Sequence, residues 1–165
     1  MTKVAHDSET AAAGQQVFTA CAFIHHSFDG VTKLFAPKRA ATKKFLPGVY
    51  ELPGGHIDFG EDMVAGLKRE IQEEFGMRIR VGDPFAVFTY TNPVKGSHSI
   101  EVVYFAEFED GIERIVLDPE DHETYGWFAE DELEQIMSAN KGVDDDEIRA
   151  IQKGFALLRG EALQF

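Results

Sequence analysis

Residues 62 to 76 constrain this chain more than any other stretch. Val64, Leu67, Ile71 and Phe75 recur at helical spacing, and Gly76 stands where a left-handed C-terminal cap belongs. Three acids share that helix. At 100° per residue Glu70 and Glu74 lie about 40° apart and Glu73 lies about 60° from Glu70, so all three form one stripe beside the apolar one. Like charges at i,i+4 cost a helix about 0.2–0.5 kcal/mol per pair. Arg69 can reach Glu73, but one guanidinium does not neutralise three carboxylates. A hard divalent cation with oxygen ligands would, and Mg²⁺ commonly binds through one or two carboxylates together with substrate phosphates. Without its flanks the stripe would read as an ordinary solvated helix face. The flanks are Pro53-Gly54-Gly55, which permit close backbone approach, and Gly60-Glu61, an acid ahead of a helix N-terminus.

The rest of the chain supplies strands for that helix to pack on. Residues 17–24 and 32–36 read as a hairpin around Asp29-Gly30, and residues 49–52 read as a short strand ended by a sharp turn at Pro53-Gly54-Gly55. Residues 85–91 and 100–108 are two further strands joined by a turn with Pro93 and Gly96, and 125–128 is another. Helices are expected near 130–138 and over 145–159, with Asp144 as N-cap. Strands interrupted by one central helix and followed by helices indicate an α+β sandwich with a mixed sheet. Phe88, Tyr90 and Tyr104 read as sheet core rather than as base-stacking platforms.

With 165 residues, 44% hydrophobic, the chain suits one domain over 17–165, preceded by a loose polar extension over 1–16 that could instead form a short helix. Sixteen basic against 29 acidic residues give a net charge of −13, which disfavours a nucleic-acid polymer as partner and demands a local cation for any anionic substrate. Cys21, the single cysteine, sits in an apolar run and reads as a buried structural thiol, and His25 and His26 have no evident partners for a zinc site. Neither a signal peptide nor a membrane-spanning run is visible, so a cytoplasmic protein is expected.

The segment from Gly55 to Met77 resembles the Nudix box: a glycine, five residues, Glu61, seven residues, Arg69-Glu70, Ile71, one residue, Glu73-Glu74, one residue, Gly76 and an aliphatic Met77. With residue types near 6% usage, seven fixed positions match by chance on the order of 10⁻⁹ per start point. Leu52-Pro53-Gly54-Gly55-His56 and Gly126-Trp127-Phe128 with Glu132-Leu133 extend the resemblance over most of residues 17–138. It implies an α/β/α sandwich and a hydrolase that cleaves a diphosphate linkage in a nucleoside diphosphate derivative, such as a modified nucleoside triphosphate, a sugar nucleotide or ADP-ribose. Mg²⁺, or Mn²⁺ in its place, would be the cofactor.

By that resemblance Glu70, Glu73 and Glu74 supply metal ligands or the base that activates water, Glu61 supports them and Arg69 orients a glutamate. Which glutamate is the base stays open. The Gly55 backbone and Asp121 join the expected metal set, Asp121 being preferred over Glu120 and Glu123. Arg39, Gly54, Gly55 and His56 are expected to touch substrate, although a solvated strand-end cation and a structural loop histidine are equally good readings of Arg39 and His56. A nucleotide-sensing module of the same fold that does not turn over is the alternative, and residues 142–165 would either close over the site or form a homodimer contact.

Overall fold

The computed structural model describes residues 7–161. Six strands form one mixed sheet: β1 (Gln16–Phe28), β2 (Val31–Arg39), β3 (Gly54–His56), β4 (Ile79–Asn92), β5 (Ser97–Phe108) and β6 (His122–Phe128). The order is β4-β5-β1-β2-β6, with β3 also paired to β1. Among the described residues only β1 with β5 is parallel, and the other strand pairings are antiparallel. Helices α1 (Met63–Phe75) and α2 (Asp146–Leu158) complete the fold, with short 3₁₀ turns at Ile112–Arg114 and Glu130–Gln135.

Alternation along β1 decides the two layers. Ala20, Ala22 and Ile24 face α1 and meet Leu67, Ile71 and Phe75; Cys21 and Phe23 face α2 and meet Ile148, Ile151 and Phe155. With both faces covered, the core of β1 reads as a continuous apolar run. Gly154 lets α2 approach closely, since a Cβ there would lie 2.7 Å from the Phe23 ring.

Several boundaries differ from the sequence reading. The strand expected at 49–52 is only a single bridge, Lys38 to Tyr50, and the strand instead lies on the glycines, where Gly54 and Gly55 pair with Cys21 and Ala20. Residues without side chains fit there because the neighbouring backbone is so close: a Cβ on Gly54 would lie 2.0 Å from the Ala20 carbonyl oxygen. The segment at 130–138 is a 3₁₀ turn over 130–135 rather than an α-helix. Asp145, not Asp144, caps α2, accepting hydrogen bonds from the Glu147 and Ile148 amides. Of the extension expected over 1–16, residues 1–6 lie outside the described residues, as do 162–165. Residues 7–15 lie against the body: Asn92 Nδ2 donates to the Ser8 carbonyl at 2.8 Å, Lys95 Nζ to the Asp7 carbonyl at 2.9 Å, and Ala12 is buried. Among the described residues no helix is long and apolar enough to cross a membrane.

Candidate active site

Helix α1 begins where Asp62 accepts a hydrogen bond from the Ala65 amide and ends at Gly76 with φ 64°. Between these caps the burial of Leu67, Ile71 and Phe75 fixes the helix rotation and turns the acid stripe toward β3. Glu70 is the most enclosed of the acids, 5% exposed, with its carboxylate against the Gly55 backbone. A Cβ on Gly55 would stand 2.5 Å from Glu70 Oε2, so a side chain at 55 would occupy the carboxylate's place.

Arg69 organises the acids around it. Nε and Nη2 donate to Glu61 at 2.8 and 2.9 Å, Nη1 donates to Glu70 at 2.9 Å and to Glu73 at 3.2 Å, and Nη2 also reaches the His56 carbonyl at 3.0 Å. Such paired, charge-assisted contacts fix direction as well as distance. Glu61 in turn accepts from the Asp58 amide and lies against α1 at Gly66, where a Cβ would be 2.7 Å from Oε1. Loop, arginine and helix therefore move as one unit.

Glu74 lies at the centre of the remaining charge. Burial, then the carboxylates of Glu51, Glu70 and Asp121, push its carboxyl well above the ordinary range, while Arg39 opposes them. Asp121 lines the same cavity and receives Lys43 Nζ at 2.9 Å. Of its two neighbours considered from sequence, Glu123 pairs with Lys38 at 3.2 Å, and Glu120 does not line the cavity. Arg39 also lines the cavity but is held from three sides, donating to the Phe45 carbonyl at 3.0 Å, Glu51 at 3.1 Å and the Ser8 hydroxyl at 3.0 Å.

Glu51 escaped the sequence reading. Burial works against its carboxylate, yet Arg39 and His122 outweigh burial and hold its pKa at about 2. His122 is buried, stacked 5.2 Å from the Phe75 ring, with Nε2 3.7 Å from Glu51. The available signal was an acid inside the run Val49-Tyr50-Glu51-Leu52, whose neighbours Val49 and Leu52 are core.

Glu70, Glu73 and Glu74, with Gly54, Gly55, His56, Glu51 and Asp121, line one cavity of about 830 Å³. Among the described residues no three acid, imidazole or thiol groups already stand together at metal-ligand spacing. Glu70 and Glu73 are tied to Arg69, and the other acids repel one another. The donor set nonetheless suits a hard cation. It consists of carboxylate oxygens in excess of the cations beside them, against a glycine backbone with no side chain in the way.

Comparison with known proteins bears on the fold and the family. The chain is 33% identical over 94 residues to the NAD-capped RNA hydrolase NudC of Stutzerimonas stutzeri, a match that covers 57% of this chain but 32% of that relative. The chain thus spans about a third of the length of that longer protein. Its fold superposes on the MutT NUDIX hydrolase of Burkholderia pseudomallei with a TM-score of 0.64 at 27% identity, covering 84% of this chain and 97% of the other. The C. elegans Ap4A hydrolase gives 0.68 at 21% identity, covering 88% and 99%, a likeness of fold. The family model described as the NUDIX domain matches residues 18–150, from β1 into α2, and the chain belongs to that family.

Proposed function

We propose that this protein hydrolyses a diphosphate linkage in a nucleoside diphosphate derivative with the help of Mg²⁺, for which Mn²⁺ could substitute. The observation that carries the reading is that Glu70 and Glu73, both held by Arg69, line one cavity with Glu74, and that the cavity is large enough for a nucleotide. Glu70, Glu73 and Glu74, with Asp121 and the Gly55 backbone, would hold the cation. When bound, the ion supplies charge neutralisation for the phosphoryl oxygens and orients the attacking water.

The chain's own residues do the rest. One glutamate of the stripe takes the proton from water; Arg69, held by Glu61 and the His56 carbonyl, keeps Glu70 and Glu73 aimed. Arg39, Lys43 and Lys44 are the cations on the cavity wall able to meet an anionic substrate. Gly54, Gly55 and His56 form the floor beneath it. The intact acid set opposes a sensing module without turnover, because three clustered carboxylates are costly to keep where no cation is bound.

The test is phosphate release from a nucleotide panel with and without Mg²⁺. Glu74→Gln and, separately, Glu70→Gln should fold normally by circular dichroism and lose metal-dependent turnover by a factor of about 10² or more. Full activity of both variants at saturating substrate sinks the assignment, and binding without turnover by the wild type across the panel favours the sensing module.

A further inference from the structure

Part of the cavity is lined by residues that diphosphate hydrolysis does not use. Strand alternation sets Glu101 on the α2 face of β5, beside Thr19 of β1 and opposite Phe88 of β4. Two pairs further along, on the same face, Tyr90 stands opposite Ser99, whose side chain shares a hydrogen bond with the Tyr90 hydroxyl. Across the cavity wall the Phe45 ring lies parallel to the Tyr90 ring, 13° between planes and 6.1 Å between centroids. The N-terminus of α2 adds Glu147, which takes the Leu52 amide at 3.2 Å and pairs with the buried Lys141. All of these except Ser99 line the cavity.

Glu101 is anomalous in this setting. It is 9% exposed, and the Cys21 thiol is its side-chain hydrogen-bond partner. Burial, followed by the charge of Glu147, pushes its pKa to about 8, although the Cys21 contact and Lys141 pull the other way. The groups facing it are therefore Cys21 and Thr19 of β1, Tyr90 of β4, Glu147 and Lys141 near the start of α2, and Glu51. A carboxylic acid kept neutral presents a donor and an acceptor side by side. An apolar residue of the same size would serve the core better, since burying a polar group without full compensation costs stability. Perturbed carboxyls in a cleft mark sites of recognition or catalysis, and Glu101 has no part in the acid stripe of α1.

We infer that Glu101, with the flat rings of Phe45, Phe88 and Tyr90, recognises a nucleobase: a planar heterocycle carrying a hydrogen-bond donor and acceptor on one edge. The inference rests on the proposed diphosphate reaction for its placement of the phosphates beside Glu70, Glu73 and Glu74. Aromatic walls offer π faces to any base, so selection among bases falls to the acid. A site that pairs a substrate's polar edge rejects analogues lacking it far more strongly than an apolar wall does. Glu101 is thus a specificity-determining residue, and it acts on binding rather than on the chemical step.

The experiment measures kcat and KM, with Mg²⁺, for nucleoside triphosphates and nucleoside diphosphate sugars, each beside its base-free ribosyl counterpart, for wild type, Glu101→Leu and Glu101→Gln. At least one nucleotide should show a KM tenfold or more below its base-free counterpart in the wild type. Glu101→Leu, which has neither donor nor acceptor, should reduce that advantage to threefold or less through KM, with kcat changed by less than a factor of three. The wild-type advantage should also shrink above pH 8, whereas Glu101→Gln, whose uncharged amide keeps a donor and an acceptor side by side, should show no such pH dependence. Equal KM with and without base, or unchanged selectivity in Glu101→Leu, overturns the inference while leaving the reaction intact. If the wild type turns over nothing, the reaction reading fails. Calorimetry with free nucleosides then decides this one: binding that is lost in Glu101→Leu upholds it, and no binding, or equal binding, overturns it.

Discussion

At the level of single residues, the site depends on what is missing as much as on what is present. Gly55 leaves room for the Glu70 carboxylate, and a methyl group there would sit 2.5 Å from Oε2. Glu70 cannot yield easily, because it is buried and tied to Arg69 at 2.9 Å. Gly55→Ala should therefore displace the carboxylate, raise the Mg²⁺ concentration needed for half-maximal turnover at least tenfold, and lower stability by about 1–3 kcal/mol as overpacking does. A metal titration of turnover alongside urea denaturation checks both. Glu51 illustrates the opposite case, a charge that the local sequence disguises. Its neighbours Val49 and Leu52 are core, and its role depends on Arg39, His122 and Glu74 arriving from elsewhere in the chain.

Among the elements, α1 was legible because its signals are local. The apolar spacing, Asp62 at the N-cap and Gly76 at the C-cap all act within one or two turns, and they define the helix and its acid stripe locally, leaving to the sheet only the direction the stripe faces. The glycine strand β3 was not legible, since Gly54-Gly55 has no intrinsic strand preference and extends only because β1 hydrogen-bonds to it. The strand at 49–52 failed for the complementary reason: its apolar residues pack as a loop with one bridge, Lys38 to Tyr50. Helix α2 depends on a close approach to the sheet. Gly154→Val would drive a Cβ to 2.7 Å from the Phe23 ring and to 3.1 Å from Phe85. We expect a loss of about 1–3 kcal/mol in urea denaturation, together with a weaker substrate KM, because the same helix presents Glu147 to the cavity. A Gly154→Val protein as stable as the wild type would show that the helix can shift outward freely.

For the whole molecule, a net charge of −13 is concentrated partly in one cavity, and this couples stability to pH. Glu101 is raised from 4.5 to about 8, so folding favours its protonated form. Its contribution is fully present below pH 4.5 and is lost as pH rises through 8. Glu51 is held at about 2, so its contribution is present above 4.5 and lost as pH falls toward 2. Glu101→Gln should therefore flatten the fall in melting temperature between pH 5 and 8; a wild-type slope in the variant would show that other groups set it. The sequence alone determined the acid-bearing helix, its caps, the glycine approach and the layered α+β class, because those follow from spacing and side-chain type within short stretches. Tertiary structure alone decided that Glu51 and Asp121 come near Glu74, that residues 7–15 join the body, and that Glu101, Phe45 and Tyr90 line one cavity. Those juxtapositions come from strand register and chain crossing, and no local pattern encodes which distant residues a sheet will bring side by side.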